Sequence, residues 1–175
     1  MKLKNTLTEY GAISKIFHWI SAAVLIIQIP LGMYLVDMDF SEKRLTIENI
    51  HVAVGISIFY LTILRLIYKT FNPTPNLNNS IFPGQRIIAK LNHVFLYISI
   101  LMITISGALK KLYNGEELNM FFFNLEIQDN FDLAEIFYEI HILSNYTLIA
   151  LISLHISAVI IHKILFKENL LKKIL

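Results

Sequence analysis

The chain has 175 residues, 55% of them hydrophobic, with 15 Lys and Arg against 13 Asp and Glu and no cysteine. Length sets a single domain, 1–175, as the expectation, and a mean hydropathy of +0.59 excludes an ordinary soluble domain. The lack of cysteine excludes disulfides, a CxxCH site for covalent haem and thiolate-held iron–sulfur clusters.

Met1 to Tyr10 is polar and charged, and no small-residue cleavage motif follows the first apolar run, so that run is expected to stay in the membrane. Four apolar runs follow, about Ile13 to Val36, Ile47 to Tyr68, Ile87 to Leu109 and Ala134 to Phe166; about 20 such residues cross the hydrocarbon as a helix. The predicted fold is all-α, a transmembrane four-helix bundle with helices at about 13–36, 47–68, 87–109 and 134–166. Its expected partner is the lipid bilayer, not nucleic acid. At 33 residues the fourth run would be about 50 Å long as one helix, so it is expected to tilt or project, with its apolar heart at Ile140 to Ile161.

Between the second and third runs, Asn72 to Gly84 carries Pro73, Pro75, Pro83 and several Asn, a composition that stops helices. Between the third and fourth, Asn114-Gly115 precedes Phe121, Phe122 and Phe123. That cluster is too short to span and is expected at the membrane interface. No internal repeat is visible. Of the 15 basic residues, 11 fall on the side of the termini, so both termini are expected in the cytoplasm. The external face is then net acidic, with Lys43, Arg44, Lys110 and Lys111 as its bases.

All six histidines, His18, His51, His93, His141, His155 and His162, lie in the runs or at their ends. Ionisable residues inside membrane helices are costly and usually functional. Taken singly, each could be a neutral packing residue, but their depths pair them. His141 and His155 are 14 residues apart, close to four turns, and so share one face about 21 Å apart along the axis. His51 can meet His141 at an outer level, and His18 can meet His155 at an inner one. Paired neutral imidazoles on facing helices are a standard axial ligand set for haem iron in a bundle. His18, His51, His141 and His155 are therefore the expected ligands of two haems, their irons roughly 20 Å apart.

Gly55 and Ala22 each follow a histidine by four residues, which gives a flat macrocycle a small neighbour on the ligand's face. Arg65, on the face of His51 but at the cytoplasmic level, and Lys15, beside His18, could pair with haem propionates or simply follow the positive-inside bias. His93 and His162 have no evident partner histidine at their depth. They are expected to be hydrogen-bonding residues near the inner surface, or part of a quinone or proton site.

The stretches "KIFHWI", "IHVAVGISIFYLTILRLIYKTFNPTP", "LNHVFLYISILMITISGAL" and "LHISAVIIHKILFKENLLKKI" touch all four helices in order and cover most of the chain. Together they resemble the bacterial cytochrome b561 family of small di-haem membrane cytochromes, including the superoxide oxidase type, which is related to the cytochrome b subunits of nickel–iron hydrogenases. The resemblance implies a bundle in the bacterial inner (cytoplasmic) membrane with two haem b between helices 1, 2 and 4. By position, the axial ligands would again be His18, His51, His141 and His155. It also implies electron exchange with ubiquinone and, for some members, oxidation of superoxide at the periplasmic face. One departure is "AEIFYEIH", which lacks the tryptophan usual before that histidine.

The expected activity is thus that of an oxidoreductase passing electrons from superoxide to ubiquinone. The alternative is an electron-carrying membrane anchor for a separate dehydrogenase or hydrogenase, a redox partner protein. A metal-ion transporter fits poorly, because almost all carboxylates lie in the external loops. Superoxide is an anion, and steering it would take a local positive funnel formed by Lys43, Arg44, Lys110 and Lys111.

Overall fold

Side-chain caps start two of the helices ahead of their apolar runs. Ser41 accepts a hydrogen bond from the Arg44 amide at 3.2 Å, and Asn130 accepts from the Leu133 amide at 3.1 Å. Each satisfies one of the amides that a helix start leaves unpaired. The computed structural model, which describes residues 2–75, 84–167 and 169–175, accordingly has four long helices. They are α1 (Ala12–Val36), α2 (Glu42–Thr70), α3 (Gln85–Tyr113) and α4 (Phe131–Leu165). Pro83, the asparagines between Pro75 and Pro83, and Glu168 lie outside the described residues.

All four helices are long and apolar enough to cross a membrane. Their outward faces are apolar and exposed, as at Ile26, Ile27, Leu143 and Ile164, and hydrocarbon is the solvent that suits them. α4, with 35 residues, measures about 52 Å and exceeds the hydrocarbon thickness of roughly 30 Å, so it must tilt or project.

Ile58, Ile100 and Leu148 are packed together with Val24, Leu25, Ile29, Leu96 and Ile152, so all four helices contribute. Leu148 is fully buried and lies midway along α4 between His141 and His155. A buried apolar layer therefore sits between the two histidine levels.

The ends of the bundle differ. At one end, the Lys15 ammonium donates to the Leu175 carbonyl at 2.9 Å and the Trp19 indole to Ile174 at 3.0 Å. The start of α1 and the last described residues thus share this terminal end. The other end carries a β-hairpin between α3 and α4, with β1 (Leu118–Asn119) and β2 (Asn124–Leu125) paired antiparallel. Its Leu118 is 1% exposed, against Ile56 of α2 and Leu112 of α3.

The hairpin tip holds the three-phenylalanine cluster. Phe121 is at φ 68°, and its amide donates to Asn119 Oδ1 at 2.8 Å. The Met120 amide donates to the Phe123 carbonyl at 2.9 Å, and the Tyr60 hydroxyl donates to the Met120 carbonyl at 3.1 Å. These polar groups of the tip thus find partners within the protein. Replacing Tyr60 with phenylalanine removes only the bond to Met120, which should weaken hairpin docking by about 1 kcal/mol. Hydrogen–deuterium exchange at residues 118–125 should quicken in that variant; unchanged exchange would contradict the anchoring.

Candidate functional site

At the hairpin end, α2 presents His51 and α4 presents His141, with ring centroids 6.3 Å apart and planes at 78°. Nδ1 of His141 is 2.7 Å from the Ile103 carbonyl oxygen. A carbonyl only accepts, so Nδ1 carries the proton and Nε2 keeps its lone pair for a metal. Ser106, almost wholly buried, places its hydroxyl 3.5 Å from the same nitrogen.

Two glycines make these ring positions possible. A Cβ at Gly32 would come within 2.9 Å of His51 Cε1, and one at Gly107 within 2.9 Å of His141 Cε1 and Nδ1. Both close approaches are across helices, so sequence spacing to the histidine gives no hint of them. Gly55, singled out by its spacing to His51, is placed differently. A Cβ there would meet only the Gln28 amide nitrogen, in ordinary contact at 3.8 Å. Gln28 itself donates to the main-chain oxygen of His51 at 2.8 Å.

At the terminal end, His18 of α1 and His155 of α4 have ring centroids 6.4 Å apart. His93 of α3 was expected to lack a partner histidine at its depth, yet its ring centroid is 5.3 Å from that of His155. The direction α3 turns toward α4 decides this contact, and position along the chain carries no such information. His162 is buried, with Nε2 2.9 Å from the Gln85 amide nitrogen and its ring beside Phe166. Arg65 lies 3.2 Å from His18 Nδ1 and over the Tyr97 ring. Lys15 reaches Leu175. Among the described residues the ion pairs are Lys110–Glu48 and Lys111–Glu116, so Arg65 has no carboxylate partner there.

These spacings test whether haem iron fits. A metal–imidazole bond of about 2.0 Å, with each ring centre roughly 1.1 Å behind its nitrogen, separates the two centroids by about 6.2 Å. The 6.3 Å and 6.4 Å pairs match this, whereas His93 and His155 at 5.3 Å are too close. By this spacing, the couples that would fit an iron between their rings are His51–His141 and His18–His155. At His18 the match needs one adjustment. A guanidinium only donates, so Arg65 beside Nδ1 puts the proton on Nε2. Ligation through Nε2 requires the other tautomer, and with it the release of Arg65. A bare metal ion is served less well: among the described residues no three His, Asp or Glu side chains converge on one point.

The comparisons with known proteins point to the same chemistry. The sequence profile described as prokaryotic cytochrome b561 matches residues 9–175. Cytochrome b561 homolog 2 of Escherichia coli (strain K12) is 26% identical over 179 residues, spanning 100% of this chain and 95% of that protein. Four apolar helices and a profile match along nearly the whole length make this a multi-pass membrane protein of the electron-transferring, haem b type, and the chain belongs to the prokaryotic cytochrome b561 family.

Proposed function

We propose that this protein is a di-haem b-type cytochrome of the bacterial inner membrane that carries electrons from the periplasmic face to ubiquinone. The observation that supports it best is the pair of histidine couples, His51–His141 and His18–His155, each at the spacing an iron needs. Along α4 the two levels are about 21 Å apart. Haem, when bound, supplies reversible one-electron chemistry. The chain supplies the ligands, their depth and the surrounding charge. His141 is held ready by Ile103, and Arg65 is a cation without a carboxylate partner among the described residues, suited to a propionate once it leaves His18.

Superoxide is the electron donor in this reading. Two superoxide anions each lose one electron to become dioxygen, and one quinone gains two electrons and two protons to become quinol. Both termini are then cytoplasmic, and the hairpin end faces the periplasm, as the distribution of Lys and Arg favours.

A second reading, an electron-carrying anchor for a soluble redox subunit, is favoured by the state of the hairpin-end bases. Lys110 pairs with Glu48, Lys111 with Glu116, and the Arg44 guanidinium donates to the Met38 carbonyl, while Lys43 is exposed. Pairing of this kind weakens a funnel for an anion.

Purified protein should show bis-histidine b-type bands in a reduced-minus-oxidised spectrum, with two haems per chain by haem quantification. One haem would remove one couple, and none would sink the reading. A superoxide pulse should reduce the haems; if they stay oxidised, the anchor reading takes its place.

A further inference from the structure

Two buried polar atoms at His51 are without a hydrogen bond: Nδ1 of its own ring and Oε1 of Gln28. Gln28 is only 7% exposed, and it stands on α1 one turn before Gly32, the glycine against which the His51 ring rests. Its amide nitrogen is already engaged, donating to the His51 main-chain oxygen at 2.8 Å. The oxygen of the same amide is thus held one amide width from that contact, an acceptor with no donor.

His51 has the complementary need. A histidine that binds iron through Nε2 carries its proton on Nδ1, and metal-bound histidines almost always donate that proton to a fixed acceptor. The facing histidine shows the satisfied arrangement, with Nδ1 of His141 on the Ile103 oxygen. An amide buried in the middle of a membrane helix is costly unless it is used.

We propose that Gln28 Oε1 is the acceptor for the Nδ1–H of His51, reached by a turn of the amide or through one bridging water, and that Gln28 is a positioning residue which tunes the haem held by His51. This rests on the reading of His51 as an axial ligand. Accepting that proton pushes electron density through the ring to Nε2 and favours ferric over ferrous iron. Gln28 therefore lowers the potential of the hairpin-end centre and leaves the other centre, on His18 and His155, untouched.

The test is a redox titration of the full-length protein, followed at the haem bands, for the natural chain, Gln28→Leu and Gln28→Glu. The His51→Ala variant identifies which component belongs to the hairpin end. Leucine removes the acceptor and should raise that midpoint, by about 59 mV for a tenfold change in the ferric-to-ferrous ratio of a one-electron couple. Glutamate is a stronger acceptor and should lower it, and the second midpoint should stay put in both. If buried glutamate prevents insertion, the leucine variant decides alone. Two retained haems with unmoved potentials would overturn the role of Gln28 while leaving the axial ligands intact. Equal shifts of both centres, or shifts of the same sign in both variants, would also overturn it. A natural chain that binds no haem would instead overturn the ligand reading, and this proposal with it.

Discussion

Replacing His51 with alanine is expected to leave a folded chain that binds one haem in place of two, and replacing His155 should leave the other one. On the proposed di-haem reading each variant removes one of the two histidines at a single level, and the two levels are separated by the packed layer around Leu148. Haem content should fall to about half in each, and the residual spectra should differ because different centres survive. His93→Ala supplies the sharper comparison. His93 is closer to His155 than His18 is, 5.3 Å against 6.4 Å. Proximity alone would make it the ligand. The space an iron requires favours His18, so His93→Ala should keep both haems and His18→Ala should lose the terminal-end one. Loss of a haem from His93→Ala, with His18→Ala retaining two, would reverse the assignment.

The second large effect is expected from one methyl group. Gly107→Ala puts a Cβ 2.9 Å from Cε1 and Nδ1 of His141, closer than real Cβ contacts allow. The ring must move away from α3, and its bond to the Ile103 oxygen, 2.7 Å long, is the contact most directly strained. Losing such an outer contact typically weakens metal binding about 10- to 100-fold. Haem should therefore be lost selectively from the hairpin-end centre during purification, while the His18–His155 centre keeps its spectrum. Alanine is the better helix former by about 1 kcal/mol, so a general loss of stability would not explain that pattern. Full retention of both haems would show that α3 and α4 can separate to admit the methyl group.

Much of this arrangement was legible because the bilayer imposes it. Hydrocarbon thickness sets the length and apolarity of a span, so all four helices stand out, while the capped starts of α2 and α4 and the last turn of α3 run beyond the apolar signal. The pairing of histidines could be read because α4 is one continuous helix on which whole turns separate His141 from His155. What depends on how neighbouring helices rotate about their axes was hidden. Gly32 and Gly107 touch histidines on other helices, whereas spacing along a single helix pointed to Gly55. Gln28 and Ser106 gave no periodic signal, since one polar residue in an apolar run shows its partner only after the helices pack. The same holds for Lys111 and Glu116, which meet only where α3 ends and the chain turns into the hairpin.

α4 carries one histidine of each couple, and their partners come from two different helices, His18 from α1 and His51 from α2. Both centres are thereby gauged from a single rod. If α4 tilts to accommodate a thinner or thicker bilayer, the two histidines travel together and their separation is unchanged, because it is set by helical rise alone. A thermal displacement of α1 or α2 alters one couple but not the distance between the two levels, which on the proposed reading is the span an electron crosses. Side chains between His141 and His155 can consequently vary as long as lipid and packing accept them, whereas the number of residues between them cannot, since one added residue turns one histidine by about 100° away from its partner.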